Sequence, residues 1–409
     1  MTRLPPRPLW AGRSLALVGI VLVAFNLRTA VASLSPILAR LQEDIALGPA
    51  VVGLLGMLPP LCYAVFGIAT PRLARRIGLE PMLVGALVVL GVGLAWRGLA
   101  GSAVALVLAS ALAFAAIGVG NVLLPPLVKR YFPDRIGLMT TIYVTAMSVS
   151  TFIPPLVAVP VAEASGWRAS LGEWAVVAAL SLVPWIALLV RSKRPQQAAA
   201  PAIEPEEAGP GGFAQLARSP LAWALTVVFT VSGFNAYAAF AWLPQMLHDI
   251  AGTTPAEAGA LLALYAAMGL PAGLVVPIIA ARYGRIRLLV GVSVASFVVG
   301  YLGLLVAPST ATWLWVVLIG TGPMIFPLTL VLINLRSRTH AGAVALSGFV
   351  QSVGYLIVAV GPLVVGLLHQ ASGGWTLPLV LLLVSALPAA VAGIVVARPR
   401  FVEDDRRGR

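Results

Sequence analysis

The sequence contains twelve stretches of predominantly apolar residues, each about as long as a helix that crosses a lipid bilayer. They span residues 14–39, 50–73, 81–100, 102–128, 136–161, 172–190, 219–247, 256–281, 287–306, 310–335, 341–368 and 376–397. A bilayer core offers no water to backbone groups, so segments of this length cross it as helices. With 60% hydrophobic and only 10% charged residues, the chain also lies outside the composition of soluble globular proteins. We therefore predict an all-α, polytopic membrane protein with twelve transmembrane helices.

Basic residues are concentrated in alternate loops between these stretches. With both termini in the cytoplasm, the cytoplasmic segments hold 23 of the 27 Lys and Arg residues, in agreement with the positive-inside rule. Of the other four, Arg40, Arg97 and Arg168 fall on the outer side, and Arg28 lies inside an apolar stretch. The net charge of +13 therefore reflects membrane topology, and we expect no nucleic-acid partner. We expect a multi-pass protein of a cell membrane of the bacterial inner-membrane type, with both termini cytoplasmic.

The chain also contains an internal repeat. Residues 192–218 are rich in Pro, Gly and Glu and are predicted to form a cytoplasmic linker between two six-helix bundles, residues 1–191 and 219–409, the second ending in a short cytoplasmic tail. A shift of 206 residues places seven residues of the first half on identical residues of the second: Pro49, Gly53, Gly67, Pro71, Arg76, Gly78 and Gly85. Because each half has an even number of spans, the halves run in the same direction, and we expect a ligand site between them near the midplane.

Three short motifs point to a known family. They are Asn26-Leu27-Arg28 in the first span, Pro71-x-x-Ala74-Arg75-Arg76-x-Gly78 after the second, and Gly118-x-Gly120-Asn121 with Pro125 in the fourth. Together with the spans and the repeat, they resemble the major facilitator superfamily and, within it, the cyanate and 2-nitroimidazole transporter family. The resemblance implies secondary or facilitative transport of a small anion or small nitrogen-containing compound by alternating access between two pseudo-symmetric bundles. It also implies that helices one, four, seven and ten line the path.

Arg28 is the candidate centre of the site. At 1.5 Å per helical residue it lies about 20 Å from one end of its span, too far to reach water easily. An arginine at that depth costs at least about 3 kcal/mol and usually faces the protein interior or a watery cavity. Matching Phe25-Asn26 with Phe234-Asn235 makes Tyr237 the counterpart of Arg28 in the second half. We expect these two side chains to face each other and to bind an anion by hydrogen bonds.

Other polar residues are weaker candidates for substrate contact. On a helical wheel, Asn26 and Arg28 lie on different faces of the first helix. Asn26 therefore either contacts substrate or forms a hydrogen bond to a neighbouring helix. Asn121 follows two glycines, whose spacing equally suits close helix packing. The remaining predicted cavity walls are Tyr265, Gln351 and Tyr355.

Several residue types are missing from the apolar stretches. The carboxylates and the three histidines lie in loops or near span ends, whereas proton relays through a bilayer usually contain such groups. We therefore predict weak or indirect proton coupling. The single cysteine, Cys62, gives no disulfide or metal pair, and neither lysine belongs to a phosphate-binding loop. We expect a monomer that is not an enzyme, has no cofactor or metal, and binds a small-molecule substrate.

An alternative interpretation treats Arg28 as structural. The protein would then export larger apolar compounds through a site lined by aromatic residues such as Phe114, Trp242 and Phe326. A channel or a membrane scaffold fits the two-fold repeat less well.

Overall fold

The computed structural model describes residues 13–192 and 215–404, and helices make up nearly all of them, with no strand in these ranges. We label the twelve apolar helical segments α1 to α12. They are α1 Ser14–Asp44, α2 Pro49–Ile77, α3 Leu79–Leu99, α4 Ala103–Tyr131, α5 Ile136–Gly172, α6 Trp174–Ser192, α7 Pro220–Ala251, α8 Pro255–Tyr283, α9 Ile286–Val306, α10 Thr312–Leu335, α11 His340–Ser372 and α12 Thr376–Val396. Residues 193–214, which hold most of the predicted linker, lie outside the described ranges.

The predicted all-α class and the order of the spans are confirmed. In the described part of the chain, eleven helices are long and apolar enough to cross a membrane, and the apolar part of α6, Trp174–Val190, is shorter. The predicted ends are less accurate. The fifth apolar stretch ends at residue 161, but α5 continues to Gly172 and changes direction at Gly166, whose φ is 83°. Glycine adopts this backbone conformation without steric cost, so the helix bends there and continues.

The repeat recurs in three dimensions as a repeated hydrogen bond. In the first half, the Asn26 side-chain amide donates to Ser181 Oγ of α6 at 2.8 Å. In the second half, Asn235 donates to Ser385 Oγ of α12 at 3.1 Å. Both pairs join the first helix of a half to its last. Polar bonds of this kind stabilise helix pairs in a membrane.

A second repeated hydrogen bond joins a tryptophan to an aspartate in each half. Trp167 Nε1 donates to Asp44 at 2.9 Å, and Trp375 Nε1 donates to Asp249 at 2.7 Å. Trp167 lies near the end of α5, and Trp375 lies in the connection between α11 and α12. Each bond therefore links the end of a half's first helix to the region where its fifth helix ends. The two halves are therefore similar bundles that contain the same two internal hydrogen bonds.

The halves meet tightly at the end of the molecule that carries the α1–α2 connection, which we call the α1–α2 face. A Cβ built on Gly53 of α2 would lie 2.8 Å from the backbone of Leu363 in α11. The repeat equivalent, Gly259 of α8, is equally close to α5, since its Cβ would lie 2.7 Å from the Pro155 carbonyl oxygen. Glycine is thus needed for this close approach of helix backbones.

The halves separate toward the opposite end of the molecule. A Cβ on Gly67 or on its equivalent Gly273 would meet nothing within 4 Å. Gly53 and Gly67 are fourteen residues apart on one helix, which places them within about 40° of each other around its axis. One face of α2 therefore packs against the other half near Gly53 and faces open space near Gly67.

Ion pairs between charged side chains connect parts of each half. Arg13, just before α1, donates to both carboxylate oxygens of Asp134 in the α4–α5 loop, at 2.6 and 3.2 Å. These hydrogen bonds lower the pKa of Asp134 to about 2. Arg168 bonds Asp44 at 2.6 Å, and Arg338 bonds Asp404 at 2.8 Å. Each of these ion pairs joins parts of the same half.

Candidate substrate-binding site

Arg28 projects from α1 into the contact region between the halves. Its guanidinium carbon lies 5.8 Å from the ring centre of Tyr63 in α2. Tyr237 of α7 and Tyr355 of α11 are close enough to interact with it electrostatically. Three tyrosines therefore surround one arginine. Two of them come from the second half, so the cluster is shared between the halves.

Two polar atoms in this cluster are buried without partners. Arg28 Nη1 and the Tyr63 hydroxyl have no hydrogen-bond partner among the described residues. No carboxylate in the described ranges forms an ion pair with Arg28. A buried donor without a partner costs roughly 1–3 kcal/mol, and more when it is charged. The cluster is therefore a positive, donor-rich site suited to an anion.

An aromatic wall continues from this site. The Tyr355 ring centre lies 6.1 Å from that of Tyr63 and 5.0 Å from that of Phe229. Phe229 in turn lies 5.5 Å from Phe326. The four rings form a continuous apolar wall that begins at the guanidinium group. An apolar wall beside a few polar groups is typical of small-molecule sites.

The structure brings Tyr237 and Tyr355 to Arg28. Asn26 and Asn235 form equivalent bonds, so Tyr237 does occupy in the second half the position that Arg28 holds in the first. Sequence analysis missed Tyr63 of α2. Its signal was only an aromatic residue at mid-span, which packing explains equally well. In the structure α2 and α11 contribute two of the three rings.

The other four predicted residues make their contacts elsewhere. Asn26 has no exposed surface and bonds Ser181. Asn121 and Gln351 each donate within their own helix, to the Ile117 carbonyl and to Ser347 Oγ. Tyr265 is buried with its ring against Phe240, at 5.7 Å.

The aromatic residues of the alternative interpretation do not form one wall. Phe326 belongs to the aromatic wall beside Arg28. Trp242 is buried, and its Nε1 donates to the Pro362 carbonyl at 2.8 Å, where the halves are closely packed. Phe114 packs instead against a second arginine, with its ring centre 5.8 Å from the guanidinium carbon of Arg97.

Arg97 lies in the last turn of α3, at the end of the span where sequence analysis placed it. Its side chain is nevertheless only 1% exposed, which the sequence did not predict. Arg97 Nη1 donates to the Ala30 carbonyl of α1 at 3.0 Å. A residue close to a span end can point outward to water or inward to the bundle. Here the side chain turns inward, where Nη1 bonds α1 and the guanidinium group lies over the Phe114 ring of α4. Arg97 is therefore, with Arg28, a second arginine between the helices of the first half.

These features define a class of protein: a multi-pass membrane transporter with a candidate site between two similar six-helix halves. The comparison with known proteins identifies the family. The family model described as Major Facilitator Superfamily matches residues 20–358, and the chain belongs to this superfamily.

Three relatives are similar over most of their length. The chain is 33% identical to an uncharacterised transporter, YycB, of Bacillus subtilis (strain 168), over 96% of both chains. It is 30% identical to a 2-nitroimidazole transporter of Escherichia coli (strain K12), over 95% of this chain and 97% of that one. It is 26% identical to the cyanate transport protein CynX of the same strain, over 88% and 91%. These relatives are all transporters rather than enzymes.

The fold also matches solved transporter structures. One is the crystal structure of a bacterial homologue of the human lysosomal transporter Spinster in an inward-facing and unoccupied conformation. The TM-score is 0.78, with 17% sequence identity and coverage of 97% of this chain and 99% of that one. At this identity the likeness concerns the fold alone.

Proposed function

We propose that the protein carries a small anionic solute, or a small nitrogen-containing compound, across the membrane by alternating access. The observation that carries this proposal is the Arg28 guanidinium between the halves, whose buried Nη1 has no hydrogen-bond partner among the described residues. Arg28 binds the negative charge, and Tyr63, Tyr237 and Tyr355 supply hydroxyl donors. The 2-nitroimidazole and cyanate transporters among the relatives support a small polar substrate.

Alternating access is supported by the unequal ends of the molecule. The halves are packed at the α1–α2 face and apart at the other end. With both termini in the cytoplasm, as the basic loops favour, this conformation is open to the cytoplasm. Rocking of the halves would then expose Arg28 to the other side. We further propose that the carrier is a monomer whose halves are residues 1–191 and 219–409, joined by the linker 192–218.

Ligand-induced thermal stabilisation of the purified protein tests the proposal. A panel of small anions and nitroimidazole-like compounds is measured on the wild type, on Arg28→Gln, and on the control Arg40→Gln, which removes an exposed arginine paired with Glu163. A ligand at 100 times its Kd should stabilise the folded state by about 2.7 kcal/mol. We expect an anion to stabilise the wild type and Arg40→Gln, and to lose this effect in a folded Arg28→Gln.

The aromatic wall gives the alternative function a specific basis. If larger apolar compounds stabilise the wild type and Arg28→Gln equally, while no anion has an effect, Arg28 is structural. The protein would then be an exporter of apolar compounds that bind along Phe229, Phe326 and Tyr355. A response that depends on both charge and volume would instead indicate an aromatic anion.

A further inference from the structure

Arg97 lines a cavity that leads from the Arg28 cluster toward the α1–α2 face. The cavity wall includes Tyr237 of the Arg28 cluster, together with Phe114, Ser110, Ser35 and Arg97. The side chains of Arg97, Ser110 and Ser35 are 1%, 0% and 7% exposed. In this conformation the cavity is narrow and has room for only a few water molecules.

The polar atoms of this cavity are poorly satisfied. Arg97 Nε and Nη2 have no hydrogen-bond partner among the described residues, and neither have the hydroxyl groups of Ser35 and Ser110. Arg97 Nη1 is used, since it donates to Ala30. Nε and Nη2 lie on one edge of the planar guanidinium group. That edge presents two parallel N–H groups, the arrangement that binds two oxygens of one carboxylate.

The position equivalent to Arg97 in the second half can be found by aligning α3 with α9. Gly93 of α3 packs on the α4 backbone at Ala109 and Ala113, and Gly300 of α9 packs in the same way on α10 at Trp315 and Ile319. This equivalence aligns α3 with α9 in a shift of 207 residues, one more than the shift that matches Gly85 with Gly291. The ends of the two helices agree with it, since Leu79–Leu99 and Ile286–Val306 begin and end 207 residues apart.

The same shift places Leu304 at the position of Arg97. Leu304 is only 1% exposed, so the second half fills this position with an apolar side chain. A buried arginine is more costly than a leucine. Its presence in one half alone therefore indicates a role outside packing.

We infer that Arg97, with Ser35 and Ser110, is a second anion-binding position that takes the carboxylate group of a small planar organic acid. The inference rests on the proposed function in that one solute passes both arginines. A carboxylate engages both free N–H groups of Arg97, whereas the single terminal atom of a linear anion does not match this pair. The Phe114 ring and Tyr237 provide the flat apolar surface for the rest of the acid. Separation of the halves at Gly53 and Gly259 widens the cavity to admit it.

Binding of benzoate to the purified full-length protein tests this assignment. Kd is measured for benzoate, for benzamide, which has the same shape without charge, and for cyanate. The variants are Arg97→Leu, which copies the second half, Arg97→Lys, which keeps the charge without the planar edge, Arg28→Gln and the control Arg40→Gln. We expect Arg97→Leu to raise the benzoate Kd roughly ten- to a hundredfold, and Arg97→Lys to raise it at least about fivefold. Benzamide should bind the wild type at least about tenfold more weakly than benzoate.

Ser110→Ala provides a second measurement that does not alter the buried charge. It should raise the benzoate Kd about threefold, and it keeps the assignment testable if Arg97→Leu does not fold. A smaller effect of Arg97→Leu on cyanate than on benzoate is also expected. Adding Gly53→Leu, which favours opening of the cavity, should tighten benzoate binding when Arg97 is present and leave it unchanged in Arg97→Leu.

The outcomes separate this inference from the proposed function. Unchanged benzoate affinity in a folded Arg97→Leu, together with a loss in Arg28→Gln, overturns the second position and leaves the proposed function standing. Loss in Arg97→Leu with unchanged affinity for every anion in Arg28→Gln supports the second position and overturns the role of Arg28. If benzoate does not bind the wild type, the carboxylate assignment is wrong.

Discussion

Tyr63 and Tyr265 form a matched pair for testing the site with single substitutions. Both are buried, and both hydroxyl groups are without a hydrogen-bond partner among the described residues. Tyr63 lies beside Arg28, whereas the Tyr265 ring packs on Phe240. We expect Tyr63→Phe to raise the Kd of the anionic ligand roughly three- to tenfold, because one hydrogen bond to the anion is lost.

Tyr265→Phe is the matched control for this measurement. Removing an unpaired buried hydroxyl should leave both the Kd and the melting temperature close to wild type. Equal Kd values in the two variants would contradict a donor role for Tyr63. A larger effect of Tyr265→Phe would place the ligand nearer to α8.

The role of Asn26, either joining helices or contacting substrate, can be tested by measuring both the stability and the ligand affinity of its alanine variant. The amide bonds α6 through Ser181, as Asn235 bonds α12 through Ser385. We expect Asn26→Ala to lower the free energy of unfolding by about 1 kcal/mol, with no change in ligand Kd. Asn235→Ala should lower it further, because the buried Tyr301 hydroxyl also donates to Asn235 Oδ1 at 2.9 Å and would lose its partner. Asn121→Ala is the control, since the Asn121 amide bonds only its own helix at Ile117. A tenfold weaker Kd in Asn26→Ala at wild-type stability would show direct contact with substrate.

The sequence predicted Arg28 but not its full surroundings, for a physical reason. A charged residue deep in an apolar stretch is costly wherever it faces lipid, so its burial can be inferred from sequence alone. An aromatic side chain such as Tyr63 has no such cost, and its role depends on which way the helix is turned. Arg97 illustrates the same limit, because an arginine a few residues from a span end can reach water or turn inward.

At the scale of the helices, glycine positions determine where the halves touch. Gly53 packs on the α11 backbone, so a larger side chain there cannot fit the present conformation. We expect Gly53→Leu to shift the population toward the state that is open at the α1–α2 face. Maleimide labelling measures this shift, with Cys62→Ser as the background and Ser35→Cys as the reporter in the cavity. Labelling should be at least about fivefold faster in Gly53→Leu.

Gly67→Leu is the control for this experiment. The site faces open space in the present conformation, so leucine adds no clash there and would hinder closure of the opposite end instead. Labelling of Ser35→Cys should therefore stay at or below the rate of the background variant. Equal acceleration by both substitutions would mean that they loosen the bundle without shifting the conformational equilibrium.

Sequence patterns predicted the helices better than their ends. Apolar length and the alternation of basic loops determine the number and direction of spans. These patterns do not predict that α5 bends at Gly166 and continues, because Glu163 and Arg168 interrupt the apolar stretch before α5 ends. The matching of Gly53 with Gly259 was visible as a repeat. Its meaning, close packing between halves, required the three-dimensional arrangement.

For the whole molecule, the arrangement of charge predicts how transport depends on the proton gradient. The residues that surround Arg28 are tyrosines from both halves, and His248 and His369 lie at helix ends, where each ring contacts a nearby carbonyl group. We expect counterflow of the solute in liposomes to persist at about the wild-type rate when a protonophore collapses the proton gradient. Loss of counterflow under these conditions, with the solute gradient intact, would show direct proton coupling.

Arg28 on α1 and Arg97 on α3, the two arginines that we propose as anion-binding positions, belong to the same half. Their charges therefore move together with one half when the halves rock against each other. Moving one charge through the full membrane field changes the energy by about 2.3 kcal/mol per 100 mV, so even a fraction of that distance biases the equilibrium. A bound anion cancels one of the two charges. The membrane potential would consequently act more strongly on the return of the empty carrier than on the loaded one.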